Sequence, residues 1–292
     1  MIDFVKVFFT RKHEIDKYIK SKGHKCTYLG GREVYKLQLY NLELVSTATS
    51  AYMHGSLHSF CNAIKGDGLR AMNWNDFSYD ELLSCLDILQ NELDYDLTYT
   101  KLTVVEFGFN IELNMNATDF IDKHVFMYKY KSPCYNPKNR TDMKMQKYEY
   151  EDYTIKVYDK AKHFKLSRSL LRYEVLNKTD ELGKSGVVAL NDLRRATSID
   201  ALYKSCMIKY ENLMVIDSYN GYRGMPKAKR DLLTKYTHPQ FWESLKEGEP
   251  YDKRKHKLVF NKIVEDYKLH SAKDYLRELI YKKYNILITK FR

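Results

Sequence analysis

Two runs near the middle of the chain alternate apolar and polar positions with a period of two: residues 154–164 (Thr-Ile-Lys-Val-Tyr-Asp-Lys-Ala-Lys-His-Phe) and residues 170–175 (Leu-Leu-Arg-Tyr-Glu-Val). Both are rich in β-branched and aromatic residues and free of Gly and Pro, which predicts a pair of strands. Thr154, Lys156, Tyr158 and Lys160 share one face of the first, with Ile155 and Val157 opposite. In the second, Arg172 and Glu174 oppose Leu171, Tyr173 and Val175. The same period predicts strands over 1–9, 33–44 and 102–113. In the last of these, Val105, Phe107, Phe109, Ile111 and Leu113 share a face, and Glu106, Gly108 and Asn110 form the other. A glycine between a carboxylate and an amide suits a strand over which a ligand backbone passes closely. Residues 51–60, read as extended, place His54, Ser56 and His58 together with Leu57 opposite.

Helical spacing is clearest after Ser78, where a capping box with Glu81 precedes Leu82, Leu83, Leu86, Leu89 and Leu93. Shorter helices are predicted over 14–22, ending at Gly23, and over 117–127, followed by a loop at 132–140 that holds two prolines. Beyond Lys178 the texture becomes helical, with predicted helices over 190–207, 251–267 and 274–284 and a short one starting after Pro239. These shifts divide the chain into two expected domains, 1–180 and 181–292.

Composition narrows the class. Hydrophobic residues make up 44% of 292, enough for a core, and 12 Gly with 5 Pro argue against a fibrous or disordered chain. No run of about 18 apolar residues predicts a membrane span. The apolar start lacks a basic region and a small-residue cleavage site, so it reads as a strand and not a signal peptide. The five cysteines are widely spaced with no CxxC pair, which predicts neither a disulfide framework nor a zinc site and fits a reducing cytoplasm. The net charge of +11 points to a polyanionic partner. Residues 226–292 hold 17 Lys and Arg against 9 Asp and Glu, so most of the excess lies there. The 26 tyrosines can stack on bases beside those cations, although an AT-rich genome would also enrich Tyr and Lys.

A sheet face that collects a phenol, ammonium groups, a guanidinium and carboxylates reads as the wall of an active site, because unpaired buried charge costs several kcal/mol, roughly. His58, Glu106 and Glu174 each offer one metal-type ligand from a separate strand face. An imidazole and two carboxylates suit Mg²⁺ or Mn²⁺ with positions left for phosphate oxygens. Tyr158 is then the candidate nucleophile. With an ordinary pKa near 10 it needs a nearby cation or polarised phosphate, and Lys160 lies two residues along the same face. Structural alternatives stand beside each: Tyr158 as packing, His58 as a core histidine, and Glu106 or Glu174 as partners of Arg172 across the sheet.

Tyr158-Asp159-Lys160 followed by Arg172-Tyr173-Glu174-Val175 resembles the "Y-[DN]-K … R-x-E" signature of rolling-circle replication initiators, those of small plasmids and the gene II protein of filamentous phages. The opening Met1-Ile2-Asp3, the stretch 55–60 with Asn75-Asp76-Phe77 behind it, and Val105-Glu106-Phe107 fall in the family's order, so the resemblance spans residues 1–180. It implies an α+β fold, an antiparallel-sheet nuclease domain of the HUH-like, ferredoxin-like kind, followed here by a basic helical C-terminal DNA-binding region. It also implies metal-dependent, site-specific nicking and joining of single-stranded or extruded origin DNA through a 5′-phosphotyrosine. By position Tyr158 is the nucleophile, Lys160 a phosphate contact, and His58, Glu106 and Glu174 the ligands of Mg²⁺ or Mn²⁺. Adjacent duplex DNA, a host helicase and a second copy of the chain are the expected partners. Many members carry a carboxylate where His58 stands and Asp where Glu106 stands, and His54 and His58 form no His-hydrophobic-His triplet. Related transposases, mobilisation relaxases and a non-catalytic DNA-binding replication or repressor protein are the alternatives.

Overall fold

The computed structural model describes residues 1–27, 33–66, 72–134, 144–219, 224–245 and 250–289, the side chains of 250 and 251 excepted. Its strands are β1 (Ile2–Phe9), β2 (His24–Thr27), β3 (Glu33–Leu39), β4 (Leu42–Ser46), β5 (Ala51–Ser56), β6 (Thr100–Glu112), β7 (Val125–Tyr128), β8 (Met145–Glu149), β9 (Tyr153–Asp159), β10 (Leu170–Lys178) and β11 (Leu213–Val215). Nine of them form one sheet in the order β2-β3-β4-β5-β1-β6-β10-β9-β8, and β7 pairs with β11. Every pairing is antiparallel. The expected α+β class is what forms: a large antiparallel sheet with helices.

Three expected strands end early, each for a local reason. Residues 33–44 are two strands, because Tyr40 takes a left-handed backbone (φ 50°) and a two-residue turn sets Leu39 against Leu42. The leucines change parity at the turn, from Leu37 and Leu39 to Leu42 and Leu44, and the pairing of Leu39 with Leu42 and Leu37 with Leu44 returns them to one face. Residues 51–60 are extended only to Ser56, whose hydroxyl accepts from the Ser59 amide and starts the helix Leu57–Lys65. Likewise β9 stops at Asp159, which caps the helix Lys160–Phe164 by accepting from the Lys162 amide at 2.9 Å. The capping box of Ser78 and Glu81 opens the helix Tyr79–Leu93 as expected. The two-proline loop lies outside the described residues from position 135 on.

One sheet face is apolar. Val105, Phe107, Phe109, Ile111, Leu171, Tyr173, Val175, Ile155 and Val157 are buried on it. The helices Ala196–Glu211 and Ser271–Ile288 supply Ile199, Leu202, Leu276 and Ile280 to the same core. Phe109 meets Tyr203 and Tyr284 edge-on, and those two rings stack at 3.8 Å. The main core thus runs across residue 180, where a domain division was expected. A second cluster forms around Trp242, Tyr236, Phe260 and Met214. Among the described residues no helix is long and apolar enough to cross a membrane.

Candidate active site

The opposite face of the central strands carries the polar residues, and the register lines them up. Glu174 on β10 stands between Gly108 of β6 and Lys156 of β9, and Arg172 stands between Asn110 and Tyr158. Directly opposed residues of an antiparallel pair share a face, so Glu106, Asn110, Arg172, Glu174, Lys156 and Tyr158 converge. Gly108 serves this approach. A Cβ there would sit 2.5 Å from the Glu174 Cβ and 2.5 Å from the Tyr173 carbonyl oxygen, so the close neighbour is Glu174 itself. We expect Gly108→Ala to destabilise the protein by about 3 kcal/mol through this backbone clash, read as a lower midpoint in urea denaturation.

Asp3 joins them through a β-bulge. Ile2 pairs with Phe107 and Val5 with Val105, so three steps along β1 match two along β6 and β1 carries one extra residue. A bulge re-aims side chains. Strict alternation would set Asp3 with the core residues Val5 and Val7; instead its carboxylate lies beside those of Glu106 and Glu174, with one oxygen of each within 4.8 Å of the others.

The cluster is charge-balanced by cations. The Lys156 ammonium donates to Glu106 Oε2 at 2.6 Å and to Glu174 Oε1 at 2.7 Å. Arg172 donates from Nε to Glu174 Oε2 at 2.8 Å and from Nη1 to Asn110 Oδ1 at 3.0 Å, while its Nη2 lies 3.6 Å from Asp3 Oδ2. Asn110 in turn donates to the carbonyls of Trp74 and Asn75, tying the 73–77 segment over the site. Tyr158 is half-buried, and its hydroxyl donates to Glu174 Oε2 at 3.4 Å.

These surroundings set the protonation states. Burial would raise Glu174, but Lys156 and Arg172 overcome it and hold the carboxyl far below its usual range. Burial, then the neighbouring Glu174 charge, pushes Glu106 up to about 7. Asp3 stays below its ordinary value despite burial, because Arg172 and Lys160 face it. Burial and the Glu174 charge hold the Tyr158 phenol well above 10, so it is neutral and must give up its proton when it reacts. Three oxygen donors on adjacent strands fit a hard divalent ion such as Mg²⁺ or Mn²⁺, which would have to displace the Lys156 ammonium from between Glu106 and Glu174.

Of the residues expected at the site, Tyr158, Glu106 and Glu174 come together. His58 does not join the three carboxylates. It lies in the first turn of the helix Leu57–Lys65, buried, with Nε2 2.9 Å from Asn75 Oδ1 and its ring stacked on Phe77 at 4.9 Å. Burial lowers it to about 3, so it is a neutral packed imidazole beside the site. Asp3 is the third carboxylate of the cluster. The sequence marks Met1-Ile2-Asp3 only as a stretch in family order, Asn110 only as the amide beside Gly108, and Lys156 only as one of the residues on the polar face.

Lys160 is off the strand but stays at the site. It is 1% exposed at the start of the helix Lys160–Phe164, and among the described residues its Nζ has no hydrogen-bond partner; neither does Arg172 Nη2. Burial, then the Arg172 charge, lowers the ammonium from 10.5 to about 7. Between those values the unfolded chain binds the extra proton, so this group makes stability rise with pH from about 7 to 10.5. Lys160→Met should therefore stabilise the fold near pH 7 by about 1–4 kcal/mol. It should also flatten stability against pH across that window, measured by denaturant midpoints.

No family model matches this sequence, and no curated protein does. Among solved structures it is similar to a rolling circle replication initiator protein from Geobacillus stearothermophilus, with 9% identity, 77% of this chain and 89% of that chain covered, and a TM-score of 0.45.

Proposed function

We propose that this chain nicks and rejoins DNA in the manner of a rolling-circle replication initiator, with Tyr158 as the nucleophile. The observation that carries the reading is the Tyr158 hydroxyl at the rim of the Asp3, Glu106 and Glu174 cluster, together with two buried nitrogens of cationic side chains, Lys160 Nζ and Arg172 Nη2, that lack hydrogen-bond partners among the described residues. The phenol oxygen forms a bond to the scissile phosphorus as it gives up its proton, the phosphorus–O3′ bond breaks, and the 3′ oxygen takes up one proton in exchange and leaves as a hydroxyl. The phenolic proton has Glu174 Oε2 as its nearest acceptor. Lys160 and Arg172 Nη2 are the cations available to the charge that builds on the phosphate. A divalent ion held by Asp3, Glu106 and Glu174 would polarise a non-bridging phosphate oxygen. The phosphotyrosine keeps the bond energy, so the released 3′ hydroxyl can prime synthesis and a later hydroxyl can reverse the step.

One observation favours a second reading, a DNA-binding protein without chemistry: Lys156 already bridges Glu106 and Glu174 and Arg172 pairs with Glu174, so the two carboxylates are balanced by two cations of the protein. Incubation with labelled single-stranded oligonucleotides of many sequences and Mn²⁺, followed by a denaturing gel, separates the two. A covalent protein–DNA band supports the enzyme; its absence over a wide sequence set supports the binder.

The C-terminal positive charge belongs to the same proposal as a contact for duplex DNA beside the nick. Deleting residues 226–292 would remove Leu276, Ile280 and Leu287 from the main core, so point substitutions are the sound test. On the helix Pro250–Asp266, Arg254 and Lys255 are exposed and Lys253 is half-exposed. Replacing all three by Gln should flatten the dependence of log affinity on log salt by about 2–3 units, measured on a duplex by anisotropy.

A further inference from the structure

The face that carries Tyr158 continues across the sheet, and there it is aromatic. Phe4, Lys6 and Phe8 of β1 pair with Ser56, His54 and Tyr52 of β5, and Lys6 and Phe8 pair on the other side with Val104 and Lys101 of β6. Val5 and Val7 point the other way into the core, so Phe4, Phe8, Tyr52 and His54 lie on the face shared by Val104 and Glu106. All four rings are half-buried. Among the described residues they touch one another: Phe8 and Tyr52 at 5.5 Å, Tyr52 stacked on His54 at 5.9 Å, and Phe4 and His54 at 6.3 Å. The Lys6 ammonium sits 5.6 Å from the Phe8 ring and 5.3 Å from that of Tyr52. Lys101 is exposed at the rim, and Glu43, beside His54 at 3.5 Å, is paired with Lys36 at 3.0 Å.

A solvated sheet face of this kind ordinarily alternates to polar residues. Rings interleaved with cations, on a chain of net charge +11, match bases and phosphates of a single strand. At about 3.4 Å per residue, Phe8 lies roughly 17 Å along β1 from Asp3, a span of a few nucleotides. We infer that Phe4, Phe8, Tyr52 and His54, with Lys6 among them, form a stacking platform for the single-stranded DNA that leads to or from Tyr158. The identity of the strand rests on the nicking proposal; the binding surface does not.

The test measures affinity for a labelled oligothymidylate by anisotropy, and adduct formation at saturating DNA, on the full chain. Phe8→Ala with Tyr52→Ala should weaken single-strand affinity about tenfold or more, while saturating DNA still gives adduct. Tyr52→Phe should keep nearly all affinity, because its ring remains. Unchanged affinity in the double variant overturns the platform. Where the double variant does not fold, Phe8→Trp replaces it, with the wild-type protein as the reference for emission from the native tryptophans. Quenching of the introduced indole by oligothymidylate supports stacking, and indole emission that stays unchanged at DNA saturation overturns it. Platform variants that weaken binding of a protein that forms no adduct with any strand would retain the binding surface and refute the nicking proposal alone.

Discussion

Tyr158→Phe should reduce the covalent protein–DNA adduct to background, a loss on the order of 10⁵-fold or more, while single-strand affinity changes by no more than about twofold. The substitution removes one oxygen. The ring keeps its place between Arg172 and β8, and the hydroxyl makes only a long 3.4 Å contact to Glu174, so little folding or binding energy goes with it. Other tyrosines near in sequence are held elsewhere. Tyr173 is buried on the core face and donates to the Cys206 carbonyl at 3.0 Å. Tyr153 accepts from Lys129 at 3.0 Å at the far end of β9. Adduct at wild-type yield from Tyr158→Phe, located by peptide mapping, would end the assignment.

The second large effect concerns Asp3. Asp3→Asn should lower activity about a hundredfold or more at limiting Mn²⁺, with partial recovery at excess Mn²⁺. It replaces one of three anionic oxygen donors by a neutral amide of the same shape. His58→Gln should leave Mn²⁺ dependence close to wild type, because the imidazole is packed on Phe77, its Nε2 is bound to Asn75, and neither ring nitrogen belongs to the cluster. Titrating nicking against Mn²⁺ for both variants separates the two ligand sets. A His58 variant that needs far more Mn²⁺ while Asp3→Asn does not would restore the histidine and remove Asp3. Full activity in chelator would remove the metal from the proposal altogether, leaving Arg172 and Lys160 to balance the phosphate charge.

How much of this was legible in the chain depends on what a period can encode. Alternation with period two separated Glu106, Lys156, Tyr158, Arg172 and Glu174 from Val105, Phe107, Ile155, Val157, Leu171 and Tyr173, because burying one sheet face leaves that mark on any strand. A capping box marked the start of Tyr79–Leu93 for the same kind of reason: its hydrogen bonds are local. The pattern also placed Gly108 beside the carboxylates, though its purpose, room for Glu174, needed the neighbouring strand.

What the tertiary structure decided are the breaks in period. One extra residue between Ile2 and Val5 turns Asp3 from the core side to the site, and a bulge leaves no trace in the alternation because it depends on how β6 pairs. Ser56 and Asp159 each begin a helix where the apolar pattern still reads as strand, which moves His58 into a packed turn and Lys160 into a buried one. The rings of Phe4, Phe8 and Tyr52 looked like ordinary strand residues until the sheet order put them on the same face as Tyr158. Strand-local chemistry was thus set by residue identity, and the membership of the site by pairing between segments far apart in the chain, where side chains meet only after the sheet has closed.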